Sequence, residues 1–129
     1  MKKLLFTLVL TLLSIGFGKA QDKFRADYNY VCFYDPDTKS WSDWEPAEHT
    51  LVFNYNSNND IVHFTAKGEM VTYRNTGNKD EGYANGNHYQ TLDLIDEDGN
   101  FIRIQLFDDQ SIGMKLIWGK YMIQFSKAS

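Results

Sequence analysis

The chain has 129 residues, of which 43% are hydrophobic and 23% are charged, and its formal net charge is −4. This length fits a single domain. The acidic balance argues against nucleic acid as a partner, because many lysines and arginines are needed to hold a phosphate backbone. Cys32 is the only cysteine, so an internal disulfide is excluded and packing must hold the fold.

The first twenty residues have the three parts of a cleavable signal peptide. Residues 1–3 are a basic start, residues 4–17 are an apolar run, and residues 18–20 bring small side chains to the end of the leader. The run is shorter than the ~20 residues that a membrane span needs. We therefore expect cleavage after Ala20, with an uncleaved anchor as the alternative. The mature chain, 21–129, is then one exported domain without a membrane span, periplasmic or extracellular.

Cleavage would also change the charge of the protein. It removes three lysines and no acid, so ten basic residues would face seventeen acidic ones and the net charge would move from −4 to −7. Such a surface does not suit a phosphate backbone. The expected partner is a protein or a small ligand, with carbohydrate as one candidate, and nucleic acid is excluded.

Residues 21–129 have no helical periodicity and consist of short alternating runs rich in Val, Ile, Phe, Tyr and Thr, broken by Asn, Asp and Gly. Such runs are typical of strands and hairpins. The pattern predicts nine strands, near 24–34, 41–45, 50–55, 60–66, 69–75, 88–96, 101–107, 111–118 and 121–126. No repeat or linker divides the segment.

The length of each tight turn decides which residues share a face, because a slip of one residue turns every side chain of a strand over. The predicted turns are 56–59, 67–68, 97–99, 108–110 and 119–120. The pairs that these turns predict are Leu51 with Phe64, Phe64 with Val71, Leu94 with Ile102, Leu106 with Ile112 and Leu116 with Ile123. The turn at 97–99 is a three-residue loop with a left-handed Gly99, a common hairpin type. All five hairpins agree on one apolar face.

A long meander with one apolar face closes on itself. We predict an all-β fold, an antiparallel up-and-down meander of eight or nine strands closing into a small barrel, with a two-sheet β-sandwich as the alternative. The first strand, with Tyr28, Tyr30, Cys32 and Tyr34 on one side, is the predicted partner of the last, and Cys32 is predicted to be buried. The residues predicted to face inward are Leu51, Phe53, Tyr55, Val62, Phe64, Val71, Tyr73, Leu92, Leu94, Ile102, Ile104, Leu106, Ile112, Met114, Leu116, Ile123 and Phe125.

Two segments do not fit the hairpin pattern, 35–49 and 75–87, and long irregular loops are often functional. Trp41 and Trp44 in the first put two indoles beside acids and hydroxyls, which suits the faces of sugars or a protein hot spot. The alternative is that both rings cap an open end of the barrel. The second segment contains Tyr83 and is followed by His88. The predicted ligand-binding site is a loop end formed by Trp41, Trp44, Tyr83 and His88.

Metal and cofactor motifs are missing from the sequence. Residues 96–100 are acidic, but their glycine is fourth, whereas an EF-hand loop needs glycine at its sixth position and glutamate at its twelfth. The histidines at 49, 63 and 88 do not have the close spacing of a zinc motif. His63 is predicted to point outward, opposite Thr72. We therefore expect no metal and no cofactor.

The sequence also lacks a nucleophile–base motif, a Gly-rich phosphate loop and a distinctive pair of carboxylates. The predicted function is a secreted, non-enzymatic binding or protein-interaction module with its site at a loop end. One alternative is a small extracytoplasmic hydrolase or inhibitor that uses Asp, His and Tyr at the same end. Another is a structural or surface-assembly protein that associates through outward apolar pairs. Those pairs are Ile95 with Phe101 and Ile117 with Met122.

The Lys-Lys start, the Ala20-Gln21 junction, the chain length and the tryptophans near the start resemble small secreted β-domain proteins of Bacteroidetes-type bacteria. The resemblance implies export and a β fold. It implies no activity and no site residues.

Overall fold

The structure is a computed structural model that describes residues 22–128, so the predicted signal peptide, residues 1–20, lies outside the described residues. Within 22–128 the chain forms strands and turns, and none of it is a helix long and apolar enough to cross a membrane. The nine strands of this range are β1 (Phe24–Asp35), β2 (Ser40–Trp41), β3 (Glu45–Phe53), β4 (Ile61–Phe64), β5 (Met70–Ala84), β6 (Asn87–Ile95), β7 (Phe101–Phe107), β8 (Met114–Trp118) and β9 (Tyr121–Ser126).

Eight of the strands close into an antiparallel barrel. From β3 to β9 each strand pairs with the next along the chain, and β1 pairs with both β3 and β9. The remaining strand, β2, extends the edge of β1, where Trp41 lies opposite Tyr34. The predicted meander and its closure by the first and last strands are confirmed, and the sheet is a barrel rather than a sandwich.

Two of the predicted turns have both the predicted size and the predicted register. Gly99 adopts φ +86° in the three-residue loop at 97–99, and Leu94 lies opposite Ile102. The turn between β8 and β9 places Leu116 opposite Ile123. In both hairpins the glycine provides the left-handed backbone that the turn requires.

The turn between β4 and β5 is one residue longer than predicted. Thr65 N donates to Glu69 O over 2.8 Å and Gly68, at φ +84°, donates to Thr65 O over 2.9 Å. This is a three-residue loop, 66–68, of the same type as 97–99. In the preceding connection the turn 56–59 has its predicted size, because Tyr55 N donates to Asp60 O over 2.8 Å. The register still differs, since Asn54 at φ 57° follows β3 and Leu51 lies opposite His63 instead of Phe64.

The shift turns β4 over, because side chains alternate between the faces of a strand. Ile61 and His63 face the interior, and His63 lies opposite Val71 instead of Thr72. Phe64 is exposed, so its predicted inward position is wrong. Val62 lies on the outer face of the sheet, opposite Val52 and Thr72, and is buried there instead of in the interior. Tyr55, also predicted to face inward, is exposed beyond the end of β3.

A bulge in β1 overturns the prediction that four of its residues share one side. The pairing with β3 shifts between Tyr28 and Tyr30, so Tyr28 and Val31 both reach the interior core. Tyr30, Cys32 and Tyr34 therefore lie on the opposite face from Tyr28. Cys32 is buried as predicted.

The connection between β7 and β8 is longer than the predicted loop at 108–110. Phe107 N donates to Gly113 O over 2.9 Å, and Leu106 lies opposite Met114 instead of Ile112. Because the register shifts by two residues, the inward face is kept. Gly113 has φ +83°, and a Cβ there would collide with the carbonyl oxygen of Phe125.

The segment 75–87, predicted to be an irregular loop, is an extended hairpin. It continues β5 to Ala84 and turns through Asn85 (φ 53°) and Gly86 (φ +83°). Two left-handed residues of this type form a tight type I′ turn. A bulge between Asn75 and Lys79 interrupts the pairing with β6.

The interior of the barrel is filled with side chains. The largest fully buried ones are Phe53, Phe125, Leu51, Ile61, Leu94, Ile104, Met114 and Val62, and all but Val62 belong to the interior cluster. Connections of an up-and-down barrel alternate between its two ends. We call the end that carries the β1–β3 connection and the turn 119–120 the upper end. The end that carries the β5–β6 and β7–β8 turns is the lower end.

Candidate functional site

The barrel separates the four residues that were predicted to form one site. Trp41 and Trp44 lie in the β1–β3 connection at the upper end, whereas Tyr83 and His88 flank the β5–β6 turn at the lower end. Connections of the meander alternate between the two ends, and two connections lie between β1–β3 and β5–β6, so the four residues do not come together in one site. A role in binding stays a prediction for each residue.

At the upper end a cavity of about 490 Å³ opens between the end of β1, strand β2 and the start of β9, and we call it the end pocket. Trp41 lines it, and Trp44 is not among its described lining residues. The lining residues are Phe33, Tyr34, Asp35, Pro36, Asp37, Ser40, Trp41, Ser42, Lys120 and Tyr121.

Backbone and side-chain hydrogen bonds fix the wall that carries Trp41. Ser42 N donates to Phe33 O over 2.8 Å, and Phe33 N donates to Ser42 Oγ over 2.9 Å. At the turn, Lys39 has φ 57° and donates its N–H to Asp35 O over 2.8 Å. Asp35 Oδ1 accepts from Asp37 N over 2.9 Å, the side-chain bond of an Asx turn.

Aromatic rings form the apolar part of the end pocket. Phe33 is 43% exposed, Trp41 37% and Tyr121 47%, which is high for residues of this size. The Tyr34 ring supports Trp41 at a centroid distance of 5.3 Å, and Trp118 stacks on Tyr121 at 5.9 Å. The rings are therefore held in place by neighbours while part of each remains open to solvent.

The pocket carries charges of both signs. Asp35 and Asp37 contribute carboxylates, and Asp37 forms no side-chain hydrogen bond or ion pair with other described residues. Lys120 lines the pocket from the turn between β8 and β9, with Nζ 6.0 Å from the centroid of Tyr121. On the outer face of β8, Lys115 Nζ is 5.6 Å from the centroid of Trp41. The site offers acceptors and donors around an aromatic surface.

A larger groove, about 580 Å³, runs over the outer face of β5, β6 and β7. Its lining is polar, and two of its charges already satisfy each other, because Arg103 Nε donates to Asp93 Oδ1 over 2.9 Å. This bond is the main cause of the raised pKa of Arg103. Small-molecule sites are mostly apolar with a few polar groups, so the end pocket fits a ligand better.

A third cavity, of about 150 Å³, opens at the lower mouth of the barrel between asparagine side chains and Phe53, Leu92 and Leu106. It is the smallest of the three. Because the core fills the barrel, it does not continue into a hollow interior.

At the lower end, His88 holds two carboxylates. Its Nε2 is 2.6 Å from Glu81 Oε1 and its Nδ1 is 2.8 Å from Asp108 Oδ2. The hydrogen bonds to Glu81 and then Asp108 raise the pKa of His88. The exposed Tyr83 ring is 5.2 Å from the imidazole. This clamp ties the β5–β6 hairpin to the loop after β7, and it leaves neither ring nitrogen free to accept a substrate proton.

Within residues 22–128, no cluster of three or more His, Cys, Asp or Glu is arranged to hold a metal ion.

The other two histidines form a hydrogen-bonded chain with a tyrosine at the core. His49 Nδ1 is 2.9 Å from His63 Nε2, and His63 Nδ1 is 2.9 Å from the Tyr73 hydroxyl. Burial, and then the nearby His49, lowers the pKa of His63 to about 4, and burial also lowers the pKa of His49. Burial raises the pKa of Tyr73 to about 12. All three groups are therefore neutral near pH 7. The outward assignment of His63 is wrong, since only 4% of it is exposed.

Sequence reasoning found Trp41 but missed the residues around it. Phe33 and Tyr121 come together only when β1 pairs with β9, where Phe33 lies opposite Ile123 and Tyr34 opposite Met122. The sequence did contain the information to predict Phe33 and Tyr121, because both the closure of the barrel and the turn at 119–120 were predicted from it. Together these predictions bring the start of β9 to the end of β1.

Comparisons of the chain with models of known protein families, with curated protein sequences and with solved structures find no match.

Proposed function

We propose that this protein is an exported binding module whose ligand site is the end pocket. The observation that carries the proposal is that Phe33, Trp41 and Tyr121 leave aromatic surface exposed around a single cavity. Stable exposure of several large rings at one concave place marks a binding site more often than it marks packing. The basic, apolar and small-residue parts of the leader support export.

The chemistry of the pocket supports binding rather than catalysis. Its serine hydroxyls are engaged locally: Ser42 Oγ donates to Asp43 O over 3.1 Å, and Ser40 Oγ bonds to Thr38 Oγ1 over 2.7 Å. No histidine is among the described lining residues, so neither serine has a general base of the usual kind beside it. The remaining groups can accept, donate and stack.

Hydrolysis at the lower end is a second candidate, favoured by the convergence of His88, Glu81 and Asp108. The support is weaker than for binding. A general base needs a free nitrogen, whereas both nitrogens of His88 face carboxylates. His88 also does not line any of the cavities described above.

Two neighbouring tryptophans allow a matched test of the site. The chain has three tryptophans, and each gives one indole N–H signal in a ¹H–¹⁵N NMR spectrum. We would titrate the purified protein with sugars, amino acids, nucleosides, amines and short peptides. Compounds that bind are expected to shift the signal of Trp41 and leave that of Trp44 in place. Trp41→Ala should abolish this binding, and Trp44→Ala should retain it.

Trp44 is a suitable control because it is 46% exposed in the same connection but lies outside the pocket lining. Circular dichroism and thermal unfolding would show that both variants fold. Binding that survives Trp41→Ala, or that shifts residues of the lower end instead, would overturn the proposal.

A further inference from the structure

The charges around the end pocket discriminate between classes of ligand. An anion would meet the carboxylates of Asp35 and Asp37. A cation would be repelled by Lys120, which lines the pocket, and by Lys115. The Lys115 ammonium already lies over the Trp41 ring, with Nζ 5.6 Å from the ring centroid. Each sign of ligand charge is therefore opposed by part of the site, which is a common way to reject partners. The arrangement favours an uncharged ligand.

The hydrogen-bonding groups narrow the class further. A carboxylate only accepts hydrogen bonds and an ammonium only donates them. Asp37, whose carboxylate has no partner among residues 22–128, can accept from a ligand, and Lys120 can donate to one. A hydroxyl group both donates and accepts, so a ligand that carries several hydroxyls can bond to both groups at once.

The aromatic rings require an apolar face on the same ligand. Phe33, Trp41 and Tyr121 present ring surface that a purely polar molecule would leave without a partner. A sugar ring has hydroxyls at its edge and C–H groups on its faces, and it can stack on an aromatic side chain while its hydroxyls bond to the rim.

We infer that the end pocket binds a neutral saccharide that stacks on Trp41 and hydrogen-bonds to Asp37 and Lys120. The inference rests on the proposed function, since it assigns a ligand class to the same site. It predicts that binding changes little with ionic strength, because screening acts on charged partners.

The test uses an array of immobilised neutral and charged glycans, which is probed with the purified protein and its variants. The amines, amino acids, nucleosides and peptides named above are titrated in solution alongside it. At least one neutral glycan should be retained, and its affinity should change less than about twofold when NaCl is raised from about 0.05 to 0.5 M. Trp41→Ala should weaken this binding by roughly tenfold or more. Trp44→Ala should leave it unchanged.

Asp37→Asn is a second variant that does not depend on the packing of an indole. Asp37 lies in an exposed turn and uses only its backbone N–H there, so the variant should fold. The loss of one charge-assisted hydrogen bond should weaken glycan binding by about three- to tenfold.

The possible failures are distinguishable. If no neutral glycan binds, the saccharide inference is overturned. If a charged compound or a peptide binds instead and Trp41→Ala abolishes it, the saccharide inference fails but the proposed binding site stands. If a glycan binds equally well to the Trp41→Ala and Asp37→Asn variants, both proposals fail.

Discussion

At the scale of single residues, the core contains an unusual polar chain, His49–His63–Tyr73. Phe125 packs against both imidazoles, with ring centroids 4.8 Å from His49 and 5.7 Å from His63. A buried imidazole is tolerated when its nitrogens find partners and it stays uncharged. His63 meets both conditions, because it is hydrogen-bonded at both nitrogens and its pKa is lowered to about 4.

This lowered pKa predicts an acid-sensitive fold. Unfolded histidine takes up a proton near pH 6.5, whereas folded His63 does so only near pH 4. The folded state is therefore fully favoured above pH 6.5 and loses stability as the pH falls from 6.5 towards 4. We expect a loss of up to about 3 kcal/mol across this interval, since one pKa unit corresponds to about 1.4 kcal/mol. Urea unfolding at a series of pH values measures it.

Two variants separate His63 from His88. His63→Leu should reduce the pH dependence of the free energy of unfolding between pH 6.5 and 4.5, leaving the part that comes from His49, whose pKa is also lowered by burial. His88→Gln should keep most of it, because the pKa of His88 is raised, so His88 is charged in the folded state over that interval and the unfolded state gains the same charge close to pH 6.5. A wild-type free energy of unfolding that does not change between pH 6.5 and 4.5 would contradict the buried, neutral His63.

At the scale of elements, the His88 clamp joins the β5–β6 hairpin to the β7–β8 loop. The pKa of His88 is raised, so the clamp adds stability below pH 6.5 and loses it as the pH rises through the folded value. Asp108→Asn should move the pKa of His88 down towards 6.5, as measured by NMR titration of the imidazole. Asp109→Asn should move it less, because Asp109 accepts from Ser111 Oγ over 2.6 Å and does not contact His88. Equal shifts in the two variants would argue against the clamp.

The strands also show when the alternation of apolar and polar residues in the sequence is enough to predict register. The loop at 97–99 was predicted in the right register because Leu94 and Ile102 are flanked by charged Asp93 and Arg103, which exclude the other face. Residues 61–64, Ile-Val-His-Phe, have no such contrast, so either face fits and the turn length decides. Gly68 marks the third position of that turn, as Gly99 does in the other loop.

Bulges and tight turns inside long strands explain the other differences. In β1 the shift between Tyr28 and Tyr30 reverses the inward face, and a regular period of two cannot reveal it. In 75–87 the polar composition suggested a loop, although Asn85-Gly86 is a typical hairpin turn. A strand that lies outside a core does not need apolar residues, so composition underestimated the length of β5.

At the scale of the whole molecule, closure of the barrel determines where a ligand can bind. The interior is packed, and the two ends differ: the upper end exposes aromatic rings, and the lower end is tied by the His88 clamp. Of the four residues of the predicted site, only Trp41 lines the end pocket, and its role in binding stays a prediction. The rest of the end pocket, Phe33 and Tyr121, is brought together by the pairing of the first and last strands, a contact between residues far apart in the sequence.

Hydrogen–deuterium exchange of the protein, with and without the tightest-binding compound of the glycan array and panel, tests the end pocket most directly. A ligand in this pocket should slow amide exchange in residues 33–42 and 119–122 and leave residues 81–88 unchanged, because these segments lie at opposite ends of the barrel. Protection confined to residues 81–88, or to the outer groove of β5, β6 and β7, would contradict the account.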